Sequence, residues 1–151
     1  RPPALEDLVG LCTELNDRGA QYVVIGGMAV IQAGFVRATE AIDLLIAADQ
    51  PNVELVRDAL MTLPDSAARE LDTLNPLRYT VVRIADEIVV DLLTRACGID
   101  YEMGSESIVT VHIQGVAIPF ASPGLLLRMK QTVREKDRLD CQFLEQLLES
   151  E

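Results

Sequence analysis

The sequence has few of the residues that mark several common classes of protein. Its 151 residues include no tryptophan, one histidine and three cysteines, and only 4% are aromatic. The single histidine, His112, excludes a metal site built from several histidines, and the three cysteines form no CxxC pair. An odd number of widely spaced cysteines argues against a disulfide framework or a zinc site, and it favours a reducing, cytoplasmic setting.

Long apolar runs and basic residues are also scarce. No run approaches the ~20 apolar residues of a membrane span, so we expect no membrane association. Lys and Arg number 13 against 24 Asp and Glu, and the net charge of −11 disfavours broad, non-specific binding to nucleic acid. Five basic residues nevertheless share one short window, which leaves a local contact with RNA open: Arg128, Lys130, Arg134, Lys136 and Arg138.

The composition that is present is typical of a packed globular protein. Hydrophobic residues make up 49% of the chain and charged residues 25%. A chain of this length usually forms one domain. We therefore predict a single domain over residues 1–151, with a core at about 20–120 and C-terminal helices at about 122–149.

Periodicity and turn residues predict the order of helices and strands. The helices are expected at Leu5–Asp17, Met28–Ala33 and Asn52–Leu63, and from Ser122 onward, where Ser122 is the N-cap and Pro123 the first helical residue. The strands are expected at Tyr22–Ile25 and Thr39–Ala47, and in two hairpins, Leu77–Ile84 with Glu87–Leu93 and Ile108–Ile113 with Val116–Phe120. This order favours an α+β fold with a mixed sheet flanked by helices over a doubly wound Rossmann domain.

Two glycines stand at the junction of the first strand and the second helix. Gly26-Gly27 follows the apolar run Tyr22–Ile25 directly. Glycine lets a ligand approach the backbone, and free N–H groups at a helix N-terminus suit a phosphate. The pattern predicts either a phosphate-binding turn or simply a tight turn between strand and helix.

Two aspartates interrupt runs that are otherwise apolar. Asp43 lies between Ile42 and Leu44, and Asp91 lies between Val90 and Leu92. A carboxylate in such a run is costly to bury unless it is paired or bound to a metal. If the two strands are neighbours, the carboxylates would form an oxygen-rich Mg²⁺ site, and the alternative is that each faces solvent at the end of its strand.

The combined order of these motifs resembles a known group of enzymes. Gly26-Gly27, a helix, Arg37-x-Thr39-x-x-x-Asp43 and a later strand with Asp91 are similar to the nucleotidyltransferase superfamily with the polymerase-β-like fold. The resemblance runs from about Leu5 to about Leu148. It is strongest to bacterial AbiEii-type and related toxin–antitoxin nucleotidyltransferases.

The resemblance implies a set of functional residues. Two Mg²⁺ ions would be held by Asp43, Asp91 and a carboxylate at position 41. The nucleotide would be bound by Gly26, Gly27, Arg37, Thr39, Lys130, Arg134 and Asp137, with Asp137 orienting Lys130. Arg37 and Thr39 have a second interpretation, which is to orient the strand that carries Asp43. A second interpretation also exists for the C-terminal residues, which would then form an ordinary solvated helix face: Lys130, Arg134 and Asp137.

Position 41 departs from the family pattern, because it holds Ala41 where an aspartate is expected. Residues two apart on a strand share a face, so position 41 would act with Asp43, whereas Glu40 is expected to point away. Loss of a metal-bridging carboxylate should cripple catalysis. Two explanations stay open: an engineered inactivating change, which the otherwise intact motif favours, or a natural pseudoenzyme.

The resemblance implies an Mg²⁺-dependent enzyme that transfers a nucleoside monophosphate from an NTP to a tRNA or protein acceptor. A toxin–antitoxin or related bacterial system is the expected setting, with a cognate toxin or antitoxin as a possible partner. The alternative is a catalytically inactive module that binds a nucleotide or a partner. His112, on a hairpin strand, is expected to be structural.

Overall fold

The computed structural model describes residues 1–129 and 135–150, without the side chains of residues 135–137. The helices are α1 Leu5–Asp17, α2 Gly26–Gln32, α3 Gln50–Leu60, α4 Tyr101–Gly104, α5 Pro123–Met129 and α6 Glu135–Glu149, with a 3₁₀ helix at Ala67–Asp72. The strands are β1 Tyr22–Ile25, β2 Ala41–Ile46, β3 Val81–Ala85, β4 Val89–Leu93, β5 Arg95–Ala96, β6 Ile99–Asp100, β7 Ile108–Ile113 and β8 Val116–Ala121. None of the described helices is long and apolar enough to cross a bilayer.

A six-stranded mixed sheet organises the described part of the chain. Its strand order is β3-β4-β2-β1-β8-β7, and β5 and β6 form a separate two-stranded ribbon. Strand β2 runs antiparallel to β1 and parallel to β4, and β1 runs parallel to β8. The parallel pair β2–β4 requires a crossover, which α3 and the 3₁₀ helix provide. The predicted α+β class with a mixed sheet is confirmed.

Burial follows the position of each strand in the sheet. The central strand β2 is apolar and almost wholly buried apart from the partly exposed Asp43, as expected when both faces of a strand are covered. The edge strand β3 alternates instead, with Val82 and Ile84 buried and Arg83 exposed. Charged side chains on β2 and β4 are therefore exceptions within the core of the sheet, and they locate the candidate site.

Several predicted boundaries need correction. Helix α2 begins at Gly26 rather than Met28, so both glycines lie in its first turn, and β2 begins at Ala41 rather than Thr39. Strand β3 begins at Val81 rather than Leu77, because Asn75 and Pro76 start a turn. In that turn the N–H of Leu77 donates to the Asn75 side chain at 2.9 Å.

The helix start at Ser122 is confirmed. The N–H of Leu125 donates to Oγ of Ser122 at 3.2 Å, and Pro123 is the first residue of α5. Helix α3 starts one residue before Pro51, where Asp49 accepts a hydrogen bond from the N–H of Asn52 at 2.8 Å. Asn52 is buried and also bonds the backbone of Gln21 in the segment before β1, which fixes α3 against that end of the sheet.

Candidate functional site

The structure places the two predicted carboxylates side by side. Asp43 on β2 is in register with Asp91 on the parallel neighbour β4. On the other side of β2, Asp43 is in register with Ile25, the last residue of β1. Neighbouring strands lie about 4.8 Å apart, so side chains in register on one face are within reach of one another. Both aspartates line one open cleft of about 770 Å³.

The two glycines that follow β1 leave space for side chains of β2 and of the loop before it. Gly26 has a φ of +65°, and a Cβ at this position would lie 2.0 Å from Oδ2 of Asp43. A Cβ on Gly27 would lie 2.4 Å from Oγ1 of Thr39 and 3.2 Å from Nη2 of Arg37. Close packing with this chain's own side chains is thus sufficient to require both glycines. A role in cradling phosphate stays a prediction.

Asp91 is held by an arginine of the edge strand β3, which the predicted set of site residues did not include. Arg83 on β3 is in register with Asp91, and its Nε and Nη2 donate to the two carboxylate oxygens at 2.9 and 3.0 Å. The hydrogen bonds to Asp91 are the main cause that raises the pKa of Arg83, and the charges of Asp43 and Glu40 add to it. Arg83 is thus the positive partner of a cluster of carboxylates.

The sequence did not reveal this pair, because the pairing depends on the length of the hairpin turn. A two-residue turn at Ala85-Asp86, as the sequence suggested, would set Thr80 opposite Asp91. The observed loop is longer, since Ala85 is in register with Val89, and this brings Arg83 opposite Asp91. A small change in loop length therefore decides which side chain meets a catalytic candidate.

The loop of residues 33–40, between α2 and β2, is anchored to helix α6. Nε and Nη2 of Arg37 donate to the two oxygens of the fully buried Asp140, both at 2.9 Å. Nearby, the rings of Phe35 and Phe143 stack with centroids 5.0 Å apart. Oγ1 of Thr39 donates to the carbonyl of Ala41 at 3.1 Å. These contacts favour the interpretation in which Arg37 and Thr39 orient β2.

Asp140 is a second residue whose role sequence reasoning missed. The prediction gave Asp137 the role of orienting Lys130, and it assigned no role to Asp140. A signal was present, because Asp140 shares a helix face with Phe143 and Leu144, and Leu144 is fully buried. A carboxylate on an apolar helix face needs a partner, and here the partner is Arg37.

Position 41 contributes no polar group to the site. Ala41 is 6% exposed and lines the cleft together with Asp43, as the two-residue spacing predicts. Glu40 also lines the cleft, so the expectation that it points away was wrong. The strand begins only at Ala41 and the backbone bends at Glu40, so strict alternation does not extend to that residue.

The remaining predicted site residues are not all described. Lys130 and Arg134 lie outside the described residues, and so does the side chain of Asp137. His112 lies on β7, at the edge of the sheet opposite to β3 and β4. It is exposed and far from the two aspartates in strand order, so it takes no part in the cleft as described.

The donor set does not fit the pair of Mg²⁺ ions that the resemblance implies. Ala41 offers no oxygen, and both oxygens of Asp91 accept hydrogen bonds from Arg83. Among residues 1–129 and the described part of α6, no three carboxylate, thiol or imidazole groups come together closely enough to hold one metal ion. The open cleft is lined instead by three carboxylates, of Glu40, Asp43 and Asp91, and by the exposed guanidinium of Arg83.

Comparison with solved structures agrees with this architecture. An antigenic nucleotidyltransferase-like protein from Paracoccidioides brasiliensis matches 99% of this chain and 78% of its own, with a TM-score of 0.60 and 18% identity. The lincosamide antibiotic adenylyltransferase LnuA, solved with lincomycin bound, matches 97% of this chain and 99% of its own, with a TM-score of 0.58 and 15% identity. No family model and no curated protein matches the sequence. The chain therefore has the fold of nucleotidyltransferase-like proteins.

Proposed function

We propose that this chain carries the site of a nucleotidyltransferase, which moves a nucleoside monophosphate from an NTP to an acceptor, and that Ala41 prevents it from completing the transfer. One observation carries the proposal. Asp43 and Asp91 are in register on neighbouring strands and line the same cleft as Ala41. The site is thus assembled around the one position where a carboxylate is missing.

The roles we propose follow the resemblance and the contacts described above. Asp43 and Asp91 are the catalytic carboxylates, and in an active form they would be ligands of Mg²⁺ together with an aspartate at position 41. Transfer of a nucleotidyl group relies on positioning the triphosphate and neutralising its charge. We assign nucleotide binding to Gly26, Gly27, Arg37, Thr39, Lys130, Arg134 and Asp137. For Arg37 the assignment is indirect, because its guanidinium is already bound to Asp140.

The acceptor is the least constrained part of the proposal. We propose a tRNA or a protein in a toxin–antitoxin or related bacterial system of the AbiEii type. The net charge of −11 favours a protein over a long nucleic acid. The adenylyltransferase LnuA was solved with a small antibiotic bound, so a small molecule is a further class to include in any screen.

A second candidate function is a catalytically inactive module that binds a nucleotide or a partner protein. The observation that favours it is the pairing of Arg83 with Asp91, which occupies both oxygens of one catalytic candidate. In this alternative Ala41 is native, and restoring an aspartate does not restore transfer. The two candidate functions therefore differ in whether the Ala41→Asp variant transfers a nucleotide.

The test is a label-transfer assay on this chain and on its Ala41→Asp variant. Each is incubated with α-labelled NTPs, Mg²⁺, total tRNA and a cell lysate. We expect label on an acceptor only with Ala41→Asp, and loss of that label in Ala41→Asp/Asp43→Asn. Transfer by the unmodified chain would contradict the role of Ala41. Absence of transfer from both, with a stable partner recovered from the lysate, would establish the binding module instead.

A further inference from the structure

The Arg83–Asp91 pair puts a positive charge of the chain itself beside the two carboxylates of the cleft. Arg83 uses Nε and Nη2 on Asp91, whose side chain is only 12% exposed. A poorly solvated carboxylate is stabilised by a counter-charge or a hydrogen-bond donor close by. In an enzyme that works with metal ions, that counter-charge is the metal. Here a guanidinium at hydrogen-bond distance already supplies it.

The same guanidinium works against a divalent cation. Its charge also lies near Asp43, because Arg83, Asp91 and Asp43 are in register on three neighbouring strands. A cation that bound between Asp43 and Asp91 would have to displace the two hydrogen bonds of Arg83 or lie beside its positive charge. At distances of a few ångströms, repulsion between such charges costs on the order of kilocalories per mole near a protein surface. Ala41 adds no oxygen to offset this cost.

Part of the Arg83 guanidinium is exposed to the cleft. Its side chain is 62% exposed and lines the cleft. Nη1 of Arg83 has no hydrogen-bond partner among the described residues. A guanidinium has five N–H donors, so a pair with one carboxylate leaves donors that can meet an anion.

We infer that Arg83 is the resident cation of this site, standing in the place of a divalent metal ion, so that with alanine at position 41 the carboxylates of Asp43 and Asp91 do not recruit Mg²⁺ while Arg83 is present. The inference deepens the proposed function and concerns the same cleft. It accounts for how two neighbouring carboxylates are kept in a cleft without a third oxygen donor at position 41. It also predicts that a divalent-cation site is opened by removing one side chain.

The experiment measures Mn²⁺ binding by the loss of the electron paramagnetic resonance signal of the free ion. Four forms of the full chain are compared: unmodified, Arg83→Met, Arg83→Gln and Arg78→Met. Arg78 is exposed and does not line the cleft, so its variant removes the same charge elsewhere. Arg83→Gln keeps a donor for Asp91, and it serves if Arg83→Met fails to fold. We expect Mn²⁺ affinity to rise about tenfold in either Arg83 variant and to stay unchanged in Arg78→Met.

Asp43→Asn added to the Arg83 variant should abolish the gain, which assigns the new binding to this cleft. Mn²⁺ binding by the unmodified chain as tight as that of the Arg83 variants would overturn the inference. An equal gain in Arg78→Met would overturn it too, since the effect would then be one of net charge. Binding of a fluorescent ATP analogue, measured in parallel with and without Mg²⁺, separates this inference from the proposed function. Failure to bind the nucleotide contradicts the proposed function alone, whereas tight Mn²⁺ binding by the unmodified chain contradicts this inference alone.

Discussion

Two arginine–aspartate pairs in this protein have almost the same geometry and very different surroundings. In both, Nε and Nη2 donate to the two carboxylate oxygens at 2.9 to 3.0 Å. The side chains of Arg37 and Asp140 are 20% and 0% exposed, whereas those of Arg83 and Asp91 are 62% and 12% exposed. The first pair joins a loop to α6, and the second joins two strands of one hairpin.

The difference in exposure shows that the same bidentate hydrogen bonding can serve two purposes. Asp140 has no access to water, so its charge depends on contacts within the protein, and Arg37 supplies two of them. Arg83 faces the cleft and keeps donors for a ligand. Burial, rather than bond length, therefore separates a structural pair from one that is available for function.

The largest expected effect comes from removing the arginine of the buried pair. Arg37→Met leaves the carboxylate of Asp140 buried without the two hydrogen bonds of the guanidinium, which should lower the free energy of unfolding by about 3–5 kcal/mol. Urea denaturation followed by circular dichroism measures it. The double variant Arg37→Met/Asp140→Asn should recover part of the loss, because it removes the buried charge as well. A loss below about 1 kcal/mol in Arg37→Met would mean that Asp140 does not need the arginine.

The next largest effect is expected from a substitution that displaces Asp43 without changing any charge. Gly26→Ala combines a positive φ with a Cβ that would collide with Oδ2 of Asp43. We expect destabilisation of about 2–3 kcal/mol, from left-handed backbone strain of about 1–2 kcal/mol and the displacement of Asp43. Gly10→Ala is the matched control, because Gly10 lies within α1 with open space around it. That variant should be neutral or stabilise the protein by up to about 1 kcal/mol. Equal stability of the two variants would show that Gly26 is not constrained.

How much of this could be predicted from the sequence depends on how local the cause is. Strands β1 and β7 follow from short β-rich runs between turn residues, and the sequence predicted both with their observed bounds. The meeting of Asp43 and Asp91 was foreseen only as an option, because it depends on β2 and β4 becoming neighbours. Local patterns thus gave the elements and the candidate carboxylates.

The two arginine pairs could not be predicted in the same way. Arg37 and Asp140 are 103 residues apart in the chain, and no local pattern links them. Arg83 and Asp91 are close in sequence, but their pairing depends on the length of a hairpin loop, where one residue shifts the whole register. The charge partners of the site are thus set by tertiary packing and register, which sequence periodicity does not contain.

The carboxylate of Asp86 provides a third case, because it is held by backbone amides instead of an arginine. Burial raises the pKa of Asp86, but hydrogen bonds from the N–H groups of Ala67, Asp65 and Glu87 lower it by more, and the net shift is downward. A lowered pKa stabilises the fold above the unfolded-state value of about 3.9, and this contribution is lost as the pH falls through the folded-state pKa.

We expect Asp86→Asn to be about 1 kcal/mol less stable than the unmodified chain at pH 7. The gap should close as the pH falls below about 4, where the aspartate itself becomes protonated. Denaturation curves of both proteins from pH 7 to pH 3 measure this. A gap that stays constant over the whole range would show that the ionised form of Asp86 makes no special contribution.

The smallest effect on stability is expected at the exposed pair. Arg83→Gln keeps a donor for Asp91 and removes a guanidinium that is largely in water, so the loss should stay below about 1 kcal/mol. A double-mutant cycle with Asp91→Asn measures the coupling within the pair, and a matching cycle on Arg37 and Asp140 gives the reference. If the coupling at Arg83 equals that at Arg37, burial does not separate the two pairs, and Arg83 is a structural residue like Arg37. A weak coupling together with a gain in Mn²⁺ affinity places Arg83 where we propose it, as a side chain that the fold tolerates losing and that governs which cations enter the cleft.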